Sequence, residues 1–319
     1  YDIMKKEWRK EILRECGVKD SLLPEIIHSD SIMGTVSSQA SQQFFLPEGI
    51  PVIKGGGDLA TTALATGTSG KENISLCIGT AAQLLLGLDS LKENLLGHLY
   101  LFSHCIPETY FCLGTVPTGG SSIQWFHSLF DSDHNNHLNE KFPVFEDESR
   151  KCDILFYPFL MGTGTPYFDY QASGAFLGLH INHQRNDFIF SIMEGITFAL
   201  KDSLQLIFNS NLKKIILSGG ATRISIWPQL VSSIFNLPVL VFQNADSAPL
   251  GTFLLGAKRL GMIQDYEIII DKFLPKDPIY PQVKYVEELE KKYQVYSHFL
   301  SCIRDYSLFI QNQKIRHES

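Results

Sequence analysis

The stretch Lys54-Gly55-Gly56-Gly57-Asp58-Leu59-Ala60 decides how this chain is interpreted. Its three glycines remove side-chain bulk around one carboxylate, so other backbone or a ligand can approach that group closely. The apolar residues 50–53 predict a short strand before it, and residues 59–64 predict the first turns of a helix after it. Asp58 is therefore our leading candidate for a catalytic group at a strand-to-helix turn. A second interpretation, in which Asp58 only caps the helix, stays open at this point.

Three further glycine turns lie next to predicted strands or helices. They are Ile78-Gly79-Thr80-Ala81, Thr118-Gly119-Gly120-Ser121 and Ser218-Gly219-Gly220-Ala221. One such turn is ordinary, but several that each end a strand or start a helix offer open backbone N–H groups. Open N–H groups at helix N-termini bind phosphate oxygens, so the pattern favours a polyphosphate ligand.

The remaining order of elements is mixed. Several strands come first between residues 74 and 116, and strands and helices then alternate. We expect strands at residues 153–159, 214–217 and 238–242, and helices at 187–208, after Ser225, from about Ala248, and at 283–309.

The most specific motif lies between residues 174 and 194. It reads Gly174-Ala175-Phe176-Leu177-Gly178-Leu179, then Asp187-Phe188, then Ser191-Ile192-Met193-Glu194. In these residues the chain resembles the second signature of the FGGY family of carbohydrate kinases, and it is most similar to xylulokinase-like members. The resemblance covers nearly the whole chain, since the flanking motifs follow in the family's order: Pro51-Val52 to Asp58, Ile78-Gly79-Thr80, Gly119-Gly120 with Gln124, Gly162 with Thr165-Pro166, Ser218-Gly219-Gly220 and Leu250-Gly251.

The resemblance implies a fold and a reaction. The fold is α/β, a ribonuclease-H-like domain of the actin-type ATPases with a mixed sheet flanked by helices. The reaction is phosphoryl transfer from ATP, with Mg²⁺, to a sugar hydroxyl, and D-xylulose is the favoured substrate. Asp58 would bind the sugar and act as general base, because an alcohol attacks phosphorus better when a carboxylate accepts its proton.

The same resemblance assigns the nucleotide site. It implies that Thr80 and its turn meet the terminal phosphates and that the glycine turn before Gln124 lies beside the nucleotide. The turn after residue 217 would approach the adenosine end, and Arg223 just beyond it is within reach of the nucleotide. The predicted nucleotide-binding residues are Gly79, Thr80, Gly119, Gly120, Gln124, Gly219, Gly220 and Arg223. No residue is assigned as a metal ligand.

Three departures from the family pattern leave the substrate open. Leu59 follows the predicted base where the family usually has Asn or Gln, and Ala81-Ala82 replaces Ser-Gly in the phosphate turn. Thr163-Gly164 stands where xylulokinases often have Glu-Arg. The alternatives are a kinase for another ketose or polyol, such as glycerol or sedoheptulose, and a half-protein that binds nucleotide without catalysis.

The resemblance also divides the chain. Residues 1–48 resemble the tail of the family's N-terminal domain, and residues 49–319 resemble its C-terminal, nucleotide-binding domain. The Asp-x-Gly-Thr turn that opens the family's first domain does not occur in this sequence. We therefore expect an expressed fragment or a natural half-protein whose sugar pocket is incomplete by itself.

Composition and charge limit which classes of partner and which cellular location we expect. A formal net charge of −7 without a basic cluster argues against nucleic acid, and no apolar run indicates a membrane span or a cleavable signal. Six cysteines without paired spacing predict reduced thiols and a cytoplasmic location. We expect a sugar and ATP as small-molecule partners, and consider a second copy in a homodimer as a partner.

Other polar groups are weaker candidates. His104 beside Cys105 predicts a partly buried histidine near the cleft rather than a thiol nucleophile, because no third orienting group is identifiable. Glu194 and Asp202 lie on a long amphipathic helix and are interpreted as solvated or structural. Another group could in principle bind a metal: Asp131, Asp133, His134 and His137. We favour the interpretation that these residues lie in an exposed loop.

Overall fold

A computed structural model describes residues 1–68, 70, 72–129, 153–207, 211–242 and 247–318, with side chains to residue 311. The metal candidates Asp131, Asp133, His134 and His137, and also Cys152, lie outside these residues. The helices are α1 (Lys10–Glu15), α2 (Ser38–Phe44), α3 (Asp58–Ala65), α4 (Ser121–Ser128), α5 (Arg185–Gln205), α6 (Ile226–Phe235), α7 (Ala248–Arg259), α8 (Tyr266–Phe273) and α9 (Val283–Glu318). The strands are β1 (Ile32–Thr35), β2 (Pro51–Ile53), β3 (Asn73–Ile78), β4 (Ala82–Leu88), β5 (Tyr100–Ser103), β6 (Tyr110–Val116), β7 (Leu155–Tyr157), β8 (Ala175–Leu177), β9 (Lys214–Ser218) and β10 (Val239–Val241).

A mixed six-stranded sheet forms the centre of the molecule, in the order β10-β9-β3-β4-β6-β5. β10, β9 and β3 run parallel, whereas β4, β6 and β5 continue the sheet from β3 as antiparallel strands, with β5 at the edge. Alternate residues of a strand face opposite sides of the sheet, so each strand contributes to two layers. The α/β class and the mixed sheet flanked by helices are confirmed.

The two faces of this sheet are covered by different helices. On one face, Ile74, Leu76 and Ile78 of β3 join the largest apolar core, together with residues of α5, α6 and α9. On the other face, two smaller cores involve α3, α7 and α8. α3 and α7 cross so closely that a Cβ on Gly251 would overlap the backbone of Thr61. Closely packed helices therefore cover part of this other face of the sheet.

The signature motif of residues 174–194 contributes to packing and does not line the cleft described below. β8 pairs antiparallel with β7. Gly178 has φ +83°, and a Cβ on it would stand 2.8 Å from the carbonyl oxygen of Asp153. A Cβ on Gly195 of α5 would overlap the backbone of Phe156. These glycines let a helix and a strand pair approach closely.

Element boundaries differ slightly from those predicted. The strand at 153–159 shortens to Leu155–Tyr157, and the last helix continues to Glu318. Ser225 and Ser247 occupy the residues before α6 and α7, but neither side chain makes a capping hydrogen bond. Across the described residues no helix is both long and apolar enough to cross a membrane.

Candidate active site

The three glycines of the loop before α3 have different structural surroundings. Gly55 adopts φ +76°, and its N–H donates to the carbonyl oxygen of Ser29 at 2.9 Å. A Cβ on Gly56 would stand only 2.6 Å from the sulfur of Cys105. Gly57 is the N-cap residue of α3. A side chain would therefore be strained at Gly55 and would clash with Cys105 at Gly56, whereas Gly57 has open space around it.

Asp58 is the first residue of α3 and is exposed. The N-cap position belongs to Gly57, and Asp58 Oδ1 accepts from the N–H of the adjacent Leu59 at 2.9 Å. The interpretation of Asp58 as the helix cap is therefore wrong. Its exposed carboxylate lines the cleft beside α3.

That cleft encloses about 570 Å³ of empty space and is open to solvent. Leu59 and Thr62 extend its α3 wall beyond Asp58, so the substitution of Leu for the family's usual amide places an apolar side chain in the cleft. The lining residues are Asp58, Leu59, Thr62, Ser75, Cys77, Gln83, Leu85, Ser218, Ser247 and Ala248.

A row of polar side chains crosses the floor of the cleft. Cys77 of β3 is in register with Gln83 of β4 on one side and with Ser218 of β9 on the other. Residues in register on neighbouring strands point to the same face, so these three side chains share the floor. Sequence reasoning assigned none of them to a site, although alternation with the apolar positions of β3 indicates the face.

The glycine turns that follow β3, β6 and β9 converge beyond this row. Gly119 N–H donates to the carbonyl oxygen of Thr80 at 2.9 Å, and Gly120 N–H donates to that of Gly79 at 2.7 Å. Gly219 has φ +87°, and a Cβ on it would stand 2.6 Å from the carbonyl oxygen of Ile78. Three of the glycines therefore serve turn-to-turn packing. The expectation of open N–H groups is wrong for Gly119 and Gly120.

Two glycines in the same group instead border open space. A Cβ on Gly79 or Gly220 would have its nearest neighbour at 3.9 or 3.8 Å. Thr80, which follows Gly79, is exposed. Among the described residues, the backbone N–H groups of Thr80 and Gly220 have no hydrogen-bond acceptor. Free N–H groups and open space suit phosphate oxygens.

Two family models match this chain. The model of the C-terminal domain of the FGGY family of carbohydrate kinases matches residues 74–260, and the model of its N-terminal domain matches residues 1–65. The chain belongs to the FGGY family. Asp58 falls within the N-terminal match, and the predicted boundary at residue 48 stays a prediction.

Individual relatives agree with this assignment. A xylulose kinase from Staphylococcus epidermidis is 28% identical over 298 residues, which cover 91% of this chain and 59% of the relative. A xylulose kinase structure from Rhodospirillum rubrum superimposes with a TM-score of 0.82 at 21% identity, covering 96% of this chain and 62% of that one. A Plasmodium falciparum glycerol kinase with ADP gives 0.77 at 19% identity, covering 93% and 60%. The chain thus spans about 60% of the length of such relatives and shares their actin-like ATPase fold.

Two of the residues predicted for the nucleotide in this FGGY chain stand apart from the cleft. Gln124 is exposed on α4, and Arg223 is exposed at the end of the short helical turn Gly220–Arg223. Like the six other residues predicted to bind the nucleotide, neither lines the cleft that holds Asp58. Their places beside the nucleotide stay predictions.

The thiol and the histidine behind the glycine loop of this FGGY chain are buried. Burial raises the pKa of Cys105 to about 11 and lowers the pKa of His104 to about 4. The thiol is therefore protonated and the imidazole neutral at pH 7. His104 Nδ1 accepts from the N–H of Ile106 at 3.1 Å, which fits the predicted structural role.

Buried charges lie on the opposite side of the sheet. Glu194 of α5 forms an ion pair with Lys292 of α9, and Tyr293 donates to Asp202 at 2.7 Å. Burial raises the pKa of Asp202 to about 6. The interpretation of Glu194 and Asp202 as solvated is wrong, and the structural alternative holds. No cluster of three potential metal ligands occurs among the described residues.

Proposed function

We propose that this chain supplies the catalytic base and the nucleotide half-site of an ATP-dependent sugar kinase. The observation that carries the proposal is the position of Asp58, exposed on a cleft whose floor strands end in the converging glycine turns. An acceptor hydroxyl in the cleft and a terminal phosphate at the turns would then approach each other. That arrangement fits phosphoryl transfer better than binding alone.

In the proposed reaction the sugar hydroxyl oxygen attacks the γ-phosphorus of ATP and ADP leaves. Asp58 accepts the hydroxyl proton as the new bond forms, because a carboxylate at hydrogen-bond distance makes the alcohol a stronger nucleophile. Mg²⁺ bound to the nucleotide would neutralise charge on the phosphates. Asp58 itself is left to bind the hydroxyl and take its proton.

The nucleotide half-site is built from the open positions of the turns. The N–H groups of Thr80 and Gly220 point to no protein acceptor among the described residues, and Gly79 leaves space beside them. We infer that these groups hold the phosphates. The fixed glycines Gly119 and Gly219 keep the turns in register with one another.

The favoured sugar is D-xylulose. Six similar relatives, at 25–28% identity, are xylulose kinases. Leu59 and Gln83 in the cleft are the residues on which the choice among D-xylulose, glycerol and sedoheptulose would depend. A cytoplasmic location is part of the same proposal, because sugar phosphorylation uses intracellular ATP.

The test combines calorimetric titration with Mg-ATP and an assay of ADP release with a panel of sugars. Asp58→Asn should leave nucleotide affinity unchanged and lower turnover by about 10²–10⁴-fold, the usual contribution of a general base. Gly220→Val should weaken Mg-ATP binding, because the added side chain enters the open space at the turn. Gly34→Val is the matched control, since Gly34 also has open space around it but lies in β1.

The outcomes separate the alternatives. Binding of Mg-ATP without release of ADP for any sugar would favour the non-catalytic half-protein. Turnover that survives Asp58→Asn would contradict the assignment of the base. Equal loss of affinity in Gly34→Val and Gly220→Val would contradict the nucleotide position.

A further inference from the structure

A second cavity lies beside the glycine loop that precedes α3. It encloses about 780 Å³ of empty space and is open to solvent. Small-molecule sites commonly enclose about 300–1,000 Å³, so this volume is large enough for a ligand. The walls come from three segments, around residues 1–6, 26–29 and 103–110. Among the described residues, those that line this cavity are all different from those that line the cleft with Asp58.

Contacts between these segments fix the shape of the second cavity. Lys6 forms an ion pair with Glu108 in the turn between β5 and β6, and its ammonium lies 5.9 Å from the ring centroid of Tyr110. Within that turn the N–H of His104 donates to the carbonyl oxygen of Thr109 at 2.9 Å. The cavity is therefore formed before a ligand binds, and a preformed site loses less conformational entropy on binding.

His104 gives the wall of the second cavity a buried hydrogen-bond donor. Its side chain lines the cavity and the residue is 6% exposed. The ring is neutral and its Nδ1 accepts from the N–H of Ile106, so the proton is on Nε2. Among the described residues, Nε2 has no hydrogen-bond partner. An unpaired buried donor is destabilising, so this N–H suits an oxygen atom supplied by a bound molecule.

The inner wall of the second cavity supports the glycine loop. Cys105 lines the cavity, and its sulfur is the atom that a Cβ on Gly56 would meet at 2.6 Å. Ser29 also lines it, and the carbonyl oxygen of Ser29 accepts from the N–H of Gly55 at 2.9 Å. A molecule in the cavity would therefore contact residues that hold the loop, and not the residues of the cleft.

The lining of the second cavity favours a neutral molecule that carries hydroxyl groups. Lys6 and Glu108 pair with each other, so an anion would have to compete with Glu108 and a cation with Lys6. Ser103 is exposed on the wall and has a hydroxyl that both donates and accepts. Ile26 and Tyr110 add apolar surface to the same walls. Adjacent C–H and hydroxyl groups of a polyol match such a mixed lining.

We propose that the second cavity binds a small neutral polyol or free sugar. A hydroxyl oxygen of the ligand accepts from Nε2–H of His104, a second hydroxyl exchanges hydrogen bonds with Ser103, and the C–H groups pack on the ring of Tyr110. This site is separate from the cleft with Asp58. The inference goes beyond the kinase proposal and does not depend on it, because its test needs no nucleotide and measures binding alone.

The test is calorimetric titration with xylitol, a neutral polyol, at about pH 8, which is above the pKa of an ordinary histidine. The unmodified chain should bind xylitol saturably. Ser103→Trp should weaken this affinity at least about tenfold, because the indole occupies the cavity. Gln83→Trp is the matched control: it places the same side chain on the floor of the cleft and should leave the affinity unchanged.

Variants of His104 test the donor. His104→Asn keeps an acceptor for the N–H of Ile106 but lacks the distal N–H, so the affinity for xylitol should fall about fivefold, the value of roughly one hydrogen bond. His104→Gln carries a distal N–H again and should recover most of the affinity. Thermal unfolding of each variant checks that the fold is kept.

The outcomes decide the site and the class of ligand. An absence of saturable xylitol binding, or binding that Ser103→Trp leaves unchanged, would overturn the proposal. Binding that is lost in Gln83→Trp and kept in Ser103→Trp would place xylitol in the cleft and would overturn it as well. D-Xylonate, an anion with the same number of carbons, should bind more weakly than xylitol, and tighter binding would contradict a neutral ligand. An unchanged affinity in His104→Asn would contradict the role of the imidazole.

Discussion

The two faces of the central sheet differ in the exposure of their carboxylates. On the cleft face, Asp58 is exposed and the strand ends carry Cys77, Gln83 and Ser218. On the other face, Glu194 and Asp202 are buried beneath α9 and paired with groups of that helix. On the cleft face Asp58 stays exposed to a ligand, although Ser218 is buried and donates to the carbonyl oxygen of Leu76 at 3.4 Å, whereas on the other face both carboxylates have side-chain partners.

This difference separates reactivity from stability. A carboxylate that is to accept a proton needs access to substrate, whereas a buried carboxylate needs a partner because desolvation is costly. Substitutions on the α9 face should therefore change unfolding without changing ligand binding. Substitutions in the cleft should do the reverse.

The largest expected effect concerns Lys292, whose ammonium pairs with buried Glu194. Lys292→Met leaves that carboxylate without its ion-pair partner, so we expect the free energy of unfolding to fall by about 3–5 kcal/mol. Chemical denaturation measures the change, and Mg-ATP titration should give an unaltered affinity. Lys291→Met is the control: its exposed pair with Glu287 should contribute nothing measurable. Equal stability of the two variants would contradict a structural role for the buried ion pair.

A smaller effect is the pH dependence from Asp202. Its folded pKa is raised to about 6 by burial, above the ordinary value of 3.8, so folding favours the protonated form. The contribution to stability is thus full below about pH 4 and is lost as the pH rises through about 6, a loss of roughly 2–3 kcal/mol. Asp202→Asn lacks this ionisation. Its stability relative to the unmodified chain should rise between pH 4 and pH 7 in denaturation curves.

The outcome also reports on the neighbours of Asp202. Tyr293 and Tyr167 both hydrogen-bond to its carboxylate, and Lys201 adds a favourable charge. These groups oppose the effect of burial. A stability difference that does not change with pH would mean that they fully offset it.

The smallest expected effect is in the cleft, at Gln83. Gln83→Leu removes the amide from the floor, so the KM for the sugar should rise about fivefold, the value of roughly one hydrogen bond. Unfolding should be unchanged. Gln171→Leu, at an exposed position outside the cleft, is the control. An unchanged KM in Gln83→Leu, or an equal rise in both variants, would show that the floor of the cleft does not meet the sugar.

Much of the architecture was predictable from local sequence. The apolar runs of β3, β4 and β9 predicted strands, and the last helix was predicted over residues 283–309. The glycine stretch before Asp58 indicated a site because glycine marks close approach. These signals are local, since strand and helix periodicity depend only on neighbouring residues.

Sequence patterns were enough to indicate the family, the order of elements and Asp58 as the candidate base. Tertiary structure alone decided that Cys77, Gln83 and Ser218 share one floor, because that depends on the register of strands far apart in the chain. It also decided that Gly119 and Gly219 pack turn against turn, whereas Gly79 and Gly220 stay open. Glu194 is a buried ion-pair partner because α9, which is distant in sequence, packs over it and supplies Lys292. Contacts between distant segments set burial and hydrogen bonding, and no local pattern contains them.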